Sequence, residues 1–307
     1  MKTVFLFPGQ GSQCVGMGKS FYENSVKARD FLNNASDFCK IDFKHLLFEE
    51  NDKLNLSEFT QAAVVLNSLM AILALQEQSP EIKTEYALGH SLGEFSALAV
   101  QGALEYLSAV SLVNQRGKFM QDDCSKIEAS MMVVLGLEDK LVEDICKDMQ
   151  DEGKKVYAAN YNCDSQIVVA GLKDDLLSCE AAFKKAGAKR AMLLNMSVAS
   201  HCPLLQDASL KLGVELDKLL KGEFKAVISN VNAKPYTTKA QALTLLKEQL
   251  VKPVLYKQSI KFIEDEADCF IEFGAAILKG LNKKITQKET YSIVSMSDID
   301  EVLKALK

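Results

Sequence analysis

Residues 86–94 read Tyr86-Ala87-Leu88-Gly89-His90-Ser91-Leu92-Gly93-Glu94. A short apolar run meets a glycine-flanked serine, and an apolar helical pattern follows over 94–101. The centre of the stretch, Gly89-His90-Ser91-Leu92-Gly93, matches G-x-S-x-G, the nucleophile elbow. On such a turn the serine sits at strained dihedrals, and glycines two positions to either side let the backbone close up. The helix beginning at Leu92 aims free N–H groups and its positive dipole end at the place where an oxyanion would form. Taken without context, the same letters also fit a glycine-rich turn with no chemistry.

Working outward, residues 3–7 (TVFLF) are a continuous apolar run closed by Pro8, the pattern of a strand buried on both faces. The loop Gly9-Gln10-Gly11-Ser12-Gln13 follows. Helical spacing covers 25–38, 57–78 and 106–121. This alternation predicts an α/β fold with a mostly parallel sheet. The middle of the chain changes rhythm. Strands at 131–136, 156–160, 166–170 and 190–194 alternate with helices at 138–150 and 173–186, and a polar turn from Tyr161 to Ser165 joins the two central strands. That order, β-α-β-β-α-β, is the ferredoxin-like pattern. The expected division is a discontinuous catalytic domain, 1–126 with 198–307, and an inserted small domain at 127–197. Beyond it come a helix near 204–220, a strand at 226–231, helices near 238–250 and 256–265, a strand at 268–273, a helix near 275–285, a strand at 291–296 and a terminal helix.

Composition narrows the function. The 307 residues carry 36 Lys+Arg against 41 Asp+Glu, a net charge of −5. An acidic chain argues against nucleic acid as the main partner, because phosphate binding needs a basic face. The eight cysteines are scattered with no Cys-x-x-Cys, so neither a zinc knuckle nor a redox pair is expected. Three histidines cannot supply a histidine-rich metal site. The N-terminal apolar run is too short for a signal peptide, and the apolar stretch Ala62 to Leu75 falls short of the ~18 residues of a membrane span. Reduced thiols in a cytoplasmic protein with no membrane partner are the expectation.

A serine nucleophile needs a base. His90 adjoins Ser91 on a tight turn and should point away from its hydroxyl. His45 lies on a helical pattern and reads as a surface residue. His201, in Val198-Ala199-Ser200-His201-Cys202-Pro203, falls where the chain leaves the small domain, which places it at an interdomain cleft. Ser91 and His201 are therefore the expected pair, with the imidazole oriented by a carboxylate or a backbone carbonyl. Arg116, in Leu112-Val113-Asn114-Gln115-Arg116-Gly117, sits on an inward-facing helix. Taken alone it reads more readily as half of a structural salt bridge to a neighbouring Asp or Glu than as a ligand for an anion.

Six motifs then occur in order: Phe7-Pro8-Gly9-Gln10-Gly11-Ser12-Gln13, Gly89 to Glu94, Gln115-Arg116-Gly117, Ser200-His201, Gln249-Leu250 with Pro253-Val254, and Glu272-Phe273-Gly274. Together they resemble the malonyl-CoA:acyl-carrier-protein transacylases of bacterial type II fatty acid synthesis, over essentially the whole chain. The resemblance implies an acyltransferase in which Ser91 carries the acyl group and His201 moves the proton. It implies an oxyanion hole from the N–H groups of Gln10 and Leu92, and a main-chain carbonyl at Gln249 that holds the imidazole. Arg116 would grip the malonyl carboxylate, a bidentate task to which Lys is not suited. Asn160 would assist substrate binding, although a turn asparagine reads the same.

The implied partners are malonyl-CoA and acyl carrier protein, with no cofactor beyond CoA as substrate and product, and a monomer. Lys189 with Arg190, and Lys283 with Lys284, are basic pairs that could steer an acidic carrier, or simply face solvent. Gly274-Ala275-Ala276 departs from the family's glycine-proline-glycine turn, and Ile127-Glu128-Ala129-Ser130 from its glycine-rich approach to the small domain. Two rival readings are a serine hydrolase of esterase or patatin-like kind and a transferase for methylmalonyl or another acyl-CoA. An ordinary α/β-hydrolase carries its histidine late, and none follows His201 here.

Overall fold

The computed structural model describes residues 1–194, 196 and 198–306. A six-stranded sheet lies at the centre. Its strands are β1 (Thr3–Phe7), β2 (Tyr86–Gly89), β7 (Glu223–Ile228), β8 (Pro235–Thr238), β9 (Cys269–Phe273) and β10 (Thr290–Ile293), in the order β10-β9-β1-β2-β7-β8. Every pairing is parallel except β7 with β8. All five residues of β1 are buried. Phe5 and Phe7 point into one apolar layer, and Val4 and Leu6 into the other. That alternation is why the strand reads as an unbroken apolar run.

One layer is built from α1 (Lys19–Asn24), α2 (Val26–Cys39), α3 (Phe43–Phe48), α4 (Ser57–Gln78), α5 (Gly93–Val100) and α6 (Tyr106–Cys124). Helix α4 is long and apolar enough to cross a membrane by length and composition, but most of it is buried inside the fold against its neighbours. After the smaller sheet come α9 (Gln206–Leu219), α10 (Lys239–Val251), α11 (Tyr256–Ile263), α12 (Leu278–Asn282) and α13 (Met296–Ala305).

The second sheet is antiparallel. Its strands are β3 (Ala129–Leu135), β4 (Val156–Cys163), β5 (Gln166–Leu172) and β6 (Arg190–Leu193), in the order β4-β5-β3-β6. Helices α7 (Asp139–Asp151) and α8 (Lys173–Lys185) cover one face, where Met132 and Val134 meet Val142, Cys146 and Phe183. The other face, with Met131, Val168 and Ala170, turns toward the larger sheet. The expected boundary at residue 197 lies outside the described residues.

Several expected elements differ. The expected turn from Tyr161 to Ser165 is only Asp164-Ser165, because β4 runs on to Cys163 with two register irregularities. The strand expected at 226–231 is displaced to Glu223–Ile228, and β8 was not expected. β8 is a short edge strand with Pro at its first residue, one of the few strand positions Pro tolerates. The helix expected near 275–285 shrinks to Leu278–Asn282. None of the eight cysteines is paired, and six are buried.

Candidate active site

Ser91 stands between β2 and α5, at φ 52. A Cβ on Gly93 would lie 2.0 Å from the carbonyl oxygen of Phe7, and one on Gly89 would lie 1.9 Å from the carbonyl carbon of Gly93. Glycine at 93 lets the turn nest on β1, and glycine at 89 lets the turn close on itself. His201 is held at φ 62, so the two groups that face each other both sit in the sparsely populated left-handed region.

Ser91 Oγ lies 2.7 Å from His201 Nε2. His201 Nδ1 lies 2.6 Å from the main-chain oxygen of Gln249. A carbonyl oxygen only accepts, so Nδ1 carries the proton and bare Nε2 faces the hydroxyl. Burial pushes the His201 pKa down to about 3, with the bond to Gln249 opposing and the Arg116 charge assisting. The imidazole is neutral and ready to accept a proton. Among the described residues no carboxylate bonds to this pair.

Arg116 projects from α6 and is 1 % exposed. Its Nη1 donates to Gln61 Oε1 at 2.7 Å, and its Nη2 donates to Gln249 Oε1 at 3.2 Å. Nη2 also lies 3.5 Å from Ser91 Oγ. The guanidinium carbon stands 5.4 Å from the centre of the Phe95 ring. Among the described residues it forms no ion pair, and its Nε is buried without an acceptor. Burial lowers its pKa and the nearby Glu94 charge raises it. An arginine remains charged through the physiological range. The result is a cation beside the nucleophile with a donor left over.

These groups open into a cavity of about 270 Å³ between the two sheets. Gln10, Leu92, Asn160 and Ser200 line it together with Ser91, His201 and Arg116. Among the described residues, neither the Gln10 nor the Leu92 N–H has a protein acceptor. A wider groove of about 1010 Å³ adjoins the cavity and shares Gln10, Gly11, Leu194 and Met196 with it.

The chain as a whole has similar proteins. The acyl transferase domain family matches residues 4–296. A malonyl CoA-acyl carrier protein transacylase of Bacillus subtilis is 35% identical over 311 residues, which is 100% of this chain and 98% of that protein. The chain belongs to the malonyl-CoA:acyl carrier protein transacylase family. The solved transacylase of Helicobacter pylori superposes with a TM-score of 0.96 at 45% identity, covering 100% of this chain and 98% of that one. A malonyl-transacylase solved in complex with a type II PKS acyl-carrier protein superposes at 0.95 with 30% identity, covering 99% and 100%.

Other expected residues of this transacylase-family chain lie elsewhere. Lys189 and Arg190 are exposed on and beside the edge strand β6, outside the cavity lining. Lys283 and Lys284 are exposed just past α12, whose Leu278 and Leu281 do reach the cavity. His90 turns away from Ser91 Oγ, as expected of a neighbour on a tight turn. Its Nε2 lies 2.7 Å from Asn162 Oδ1, and its ring tilts against Tyr256 at 5.5 Å.

Sequence reasoning gave no role to Gln61, Glu94 or Asn230. Asn230 Oδ1 accepts from the Ser91 N–H at 2.6 Å, and its Nδ2 donates to Gly89 O at 2.7 Å, so it staples the elbow from below. The available signal was a polar residue within an apolar run, as in Gln61-Ala62-Ala63-Val64.

Proposed function

We propose that this chain transfers the malonyl group of malonyl-CoA to the phosphopantetheine thiol of acyl carrier protein through a malonyl ester on Ser91. The reading rests on one observation above all. A hydroxyl, a bare imidazole nitrogen and a buried guanidinium with an unused donor converge within one cavity.

In the first half-reaction Ser91 Oγ gives its proton to His201 Nε2 and attacks the thioester carbonyl. The oxyanion faces the free N–H groups of Gln10 and Leu92, each such donor contributing about 3 kcal/mol. The Gln249 carbonyl holds the imidazolium that forms. The tetrahedral intermediate then expels the CoA thiolate, which takes the proton from His201. In the second half-reaction the carrier thiol loses its proton to His201 and attacks the ester, and Ser91 leaves with that proton. This is a ping-pong sequence. Every proton and acyl transfer is accounted for by Ser91, His201 and the two thiols, so the scheme calls for no cofactor. Arg116 supplies the charge that an acyl carboxylate requires, and the groove beside the cavity offers a path for a long thioester arm.

In the same reading residues 1–126 and 198–307 form the catalytic domain around a nucleophile elbow, and 127–197 form an inserted ferredoxin-like domain. Asn160 lies at the substrate. The basic pairs Lys189–Arg190 and Lys283–Lys284 present exposed positive charge to an acidic carrier. The enzyme is placed in the cytoplasm as a monomer, with no membrane or nucleic-acid partner.

The test is mass spectrometry of the intact chain after malonyl-CoA, acetyl-CoA or methylmalonyl-CoA, followed by holo-carrier. Malonyl mass that sits on Ser91 and moves to the carrier supports the reading. Adducts that water clears equally for all substrates would mean a hydrolase.

A further inference from the structure

Glu94 is the most buried carboxylate near the nucleophile, yet it is not bonded to Ser91 Oγ and is not itself a lining residue of the cavity. Three donors converge on it. Gln249 Nε2 lies 2.7 Å and the Asn230 N–H 3.2 Å from Oε2, and the Tyr236 hydroxyl 2.8 Å from Oε1. Burial raises its pKa to about 7, and all three donors together with the Arg116 charge pull it back down.

The Gln249 side chain stands between Glu94 and Arg116. Its Nε2 donates to Glu94 Oε2 and, at 3.1 Å, to the main-chain oxygen of Ser91. Its Oε1 accepts from Arg116 Nη2. A carboxamide can present either end, and its surroundings select which. Turned over, this one would set its oxygen against two acceptors and its NH2 against a guanidinium that has only donors. With the side chain fully buried, nothing would replace the three lost partners. Glu94 is the only charged one of the two acceptors and is itself fixed by Tyr236.

We infer that Glu94 is a positioning residue: its carboxylate sets the Gln249 amide with the oxygen toward Arg116, and so fixes the guanidinium in the orientation that receives an acyl carboxylate. This rests on the reading of Arg116 as the carboxylate ligand. The consequence concerns substrate choice. Without an acceptor at position 94 the NH2 end of the amide keeps only the main-chain oxygen of Ser91, the hold of its oxygen on Arg116 Nη2 loosens, and discrimination between malonyl and acetyl thioesters declines. The main-chain oxygen of Gln249 still faces His201, so the hydroxyl-imidazole pair survives.

The experiment measures kcat/KM with malonyl-CoA and with acetyl-CoA for the native chain, Glu94→Ala, Glu94→Gln and Gln249→Met, alongside the thermal midpoint. Gln at position 94 keeps an acceptor oxygen for Gln249 and Asn230, with its NH2 toward a Tyr236 hydroxyl that can also accept. The malonyl-to-acetyl ratio is expected to fall by about tenfold or more in Glu94→Ala and Gln249→Met, and to stay within about threefold of native in Glu94→Gln. If Glu94→Ala does not fold, Gln249→Met carries the comparison with Glu94→Gln. A ratio unchanged in Glu94→Ala or Gln249→Met, or lost equally in Glu94→Gln, overturns the inference. A native ratio near one overturns instead the reading of Arg116 on which it rests.

Discussion

A guanidinium that is 1 % exposed needs acceptors, and among the described residues Arg116 finds only two glutamine oxygens and the Ser91 hydroxyl. A substrate carboxylate would complete its set. Arg116→Ala should therefore lower kcat/KM for malonyl-CoA by roughly a hundredfold or more, while acetyl-CoA holds or improves. The rate of Ser91 acylation, followed by intact mass, reads both; equal losses would make Arg116 structural. The His201 imidazole gives a second prediction. Its pKa falls from 6.5 to about 3, so the neutral base persists through the mildly acidic range. The kcat/KM profile, which reports the free enzyme, should stay flat as pH falls through 6.5. A limb at 6.5 would mean a solvated imidazole. The same shift acts on folding: the unfolded chain takes up a proton below 6.5 that the native state refuses. This contribution to stability is present above 6.5 and is lost as pH falls toward 3. Ser91, His201 and Arg116 were legible because each belongs to a motif or a short list of candidates. Glu94, Gln61 and Asn230 were not, because a polar residue in an apolar run signals burial at most and does not say which distant group it bonds.

Elements were legible where an apolar period was long, and misread where side chains wind the backbone. β1 and α4 follow their patterns almost residue for residue. The stretch expected as a helix over 275–285 does not. There Gly274 turns the chain at φ 91, and the Glu272 carboxylate then accepts the N–H groups of Ile277, Leu278 and Lys279 at 3.0, 2.9 and 2.9 Å. Helix α12 can start only after that wrap. It ends at Asn282, whose side chain is tied to Tyr256 and Thr290. A carboxylate buried on β9 thus acts as the cap for a five-residue helix too short to stand alone. Glu272→Ala should lower stability by about 1–2 kcal/mol, seen as a drop in thermal midpoint. Because Leu278 and Leu281 line the cavity, the KM for malonyl-CoA should rise as well. A lower midpoint with KM unchanged would mean that α12 keeps its place without the cap.

At the scale of the molecule, the cavity lies where the carboxyl ends of β1 and β2 meet the open face of the smaller sheet. Crevices beyond the carboxyl ends of parallel strands are the common ligand sites of α/β sheets. The wall facing β1 and β2 is set by how the two sheets are joined. Val254 donates to Ala159 O at 2.8 Å, and Tyr161 donates to Val254 O at 2.9 Å, so β4 is bonded across to the segment before α11. Leu255 N reaches Asn230 O at 2.8 Å, which links that segment to the residue stapling the elbow. Asn162 meets His90, and Lys257 pairs with both Asp139 and Asp164, which lie at the same end of the smaller sheet. Sequence periodicity displays neither bond, since both join residues about a hundred positions apart. A seam of this kind ties the position of Asn160 and Asn162 to that of Ser91. The amides of Tyr161 and Val254 should then exchange with solvent as slowly as those of β1, opening only with global unfolding. Residue-resolved hydrogen exchange measures it. Exchange at these two amides much faster than in β1 would mean that the sheets hinge along β4, and that the cavity is assembled by closure instead of standing ready for substrate.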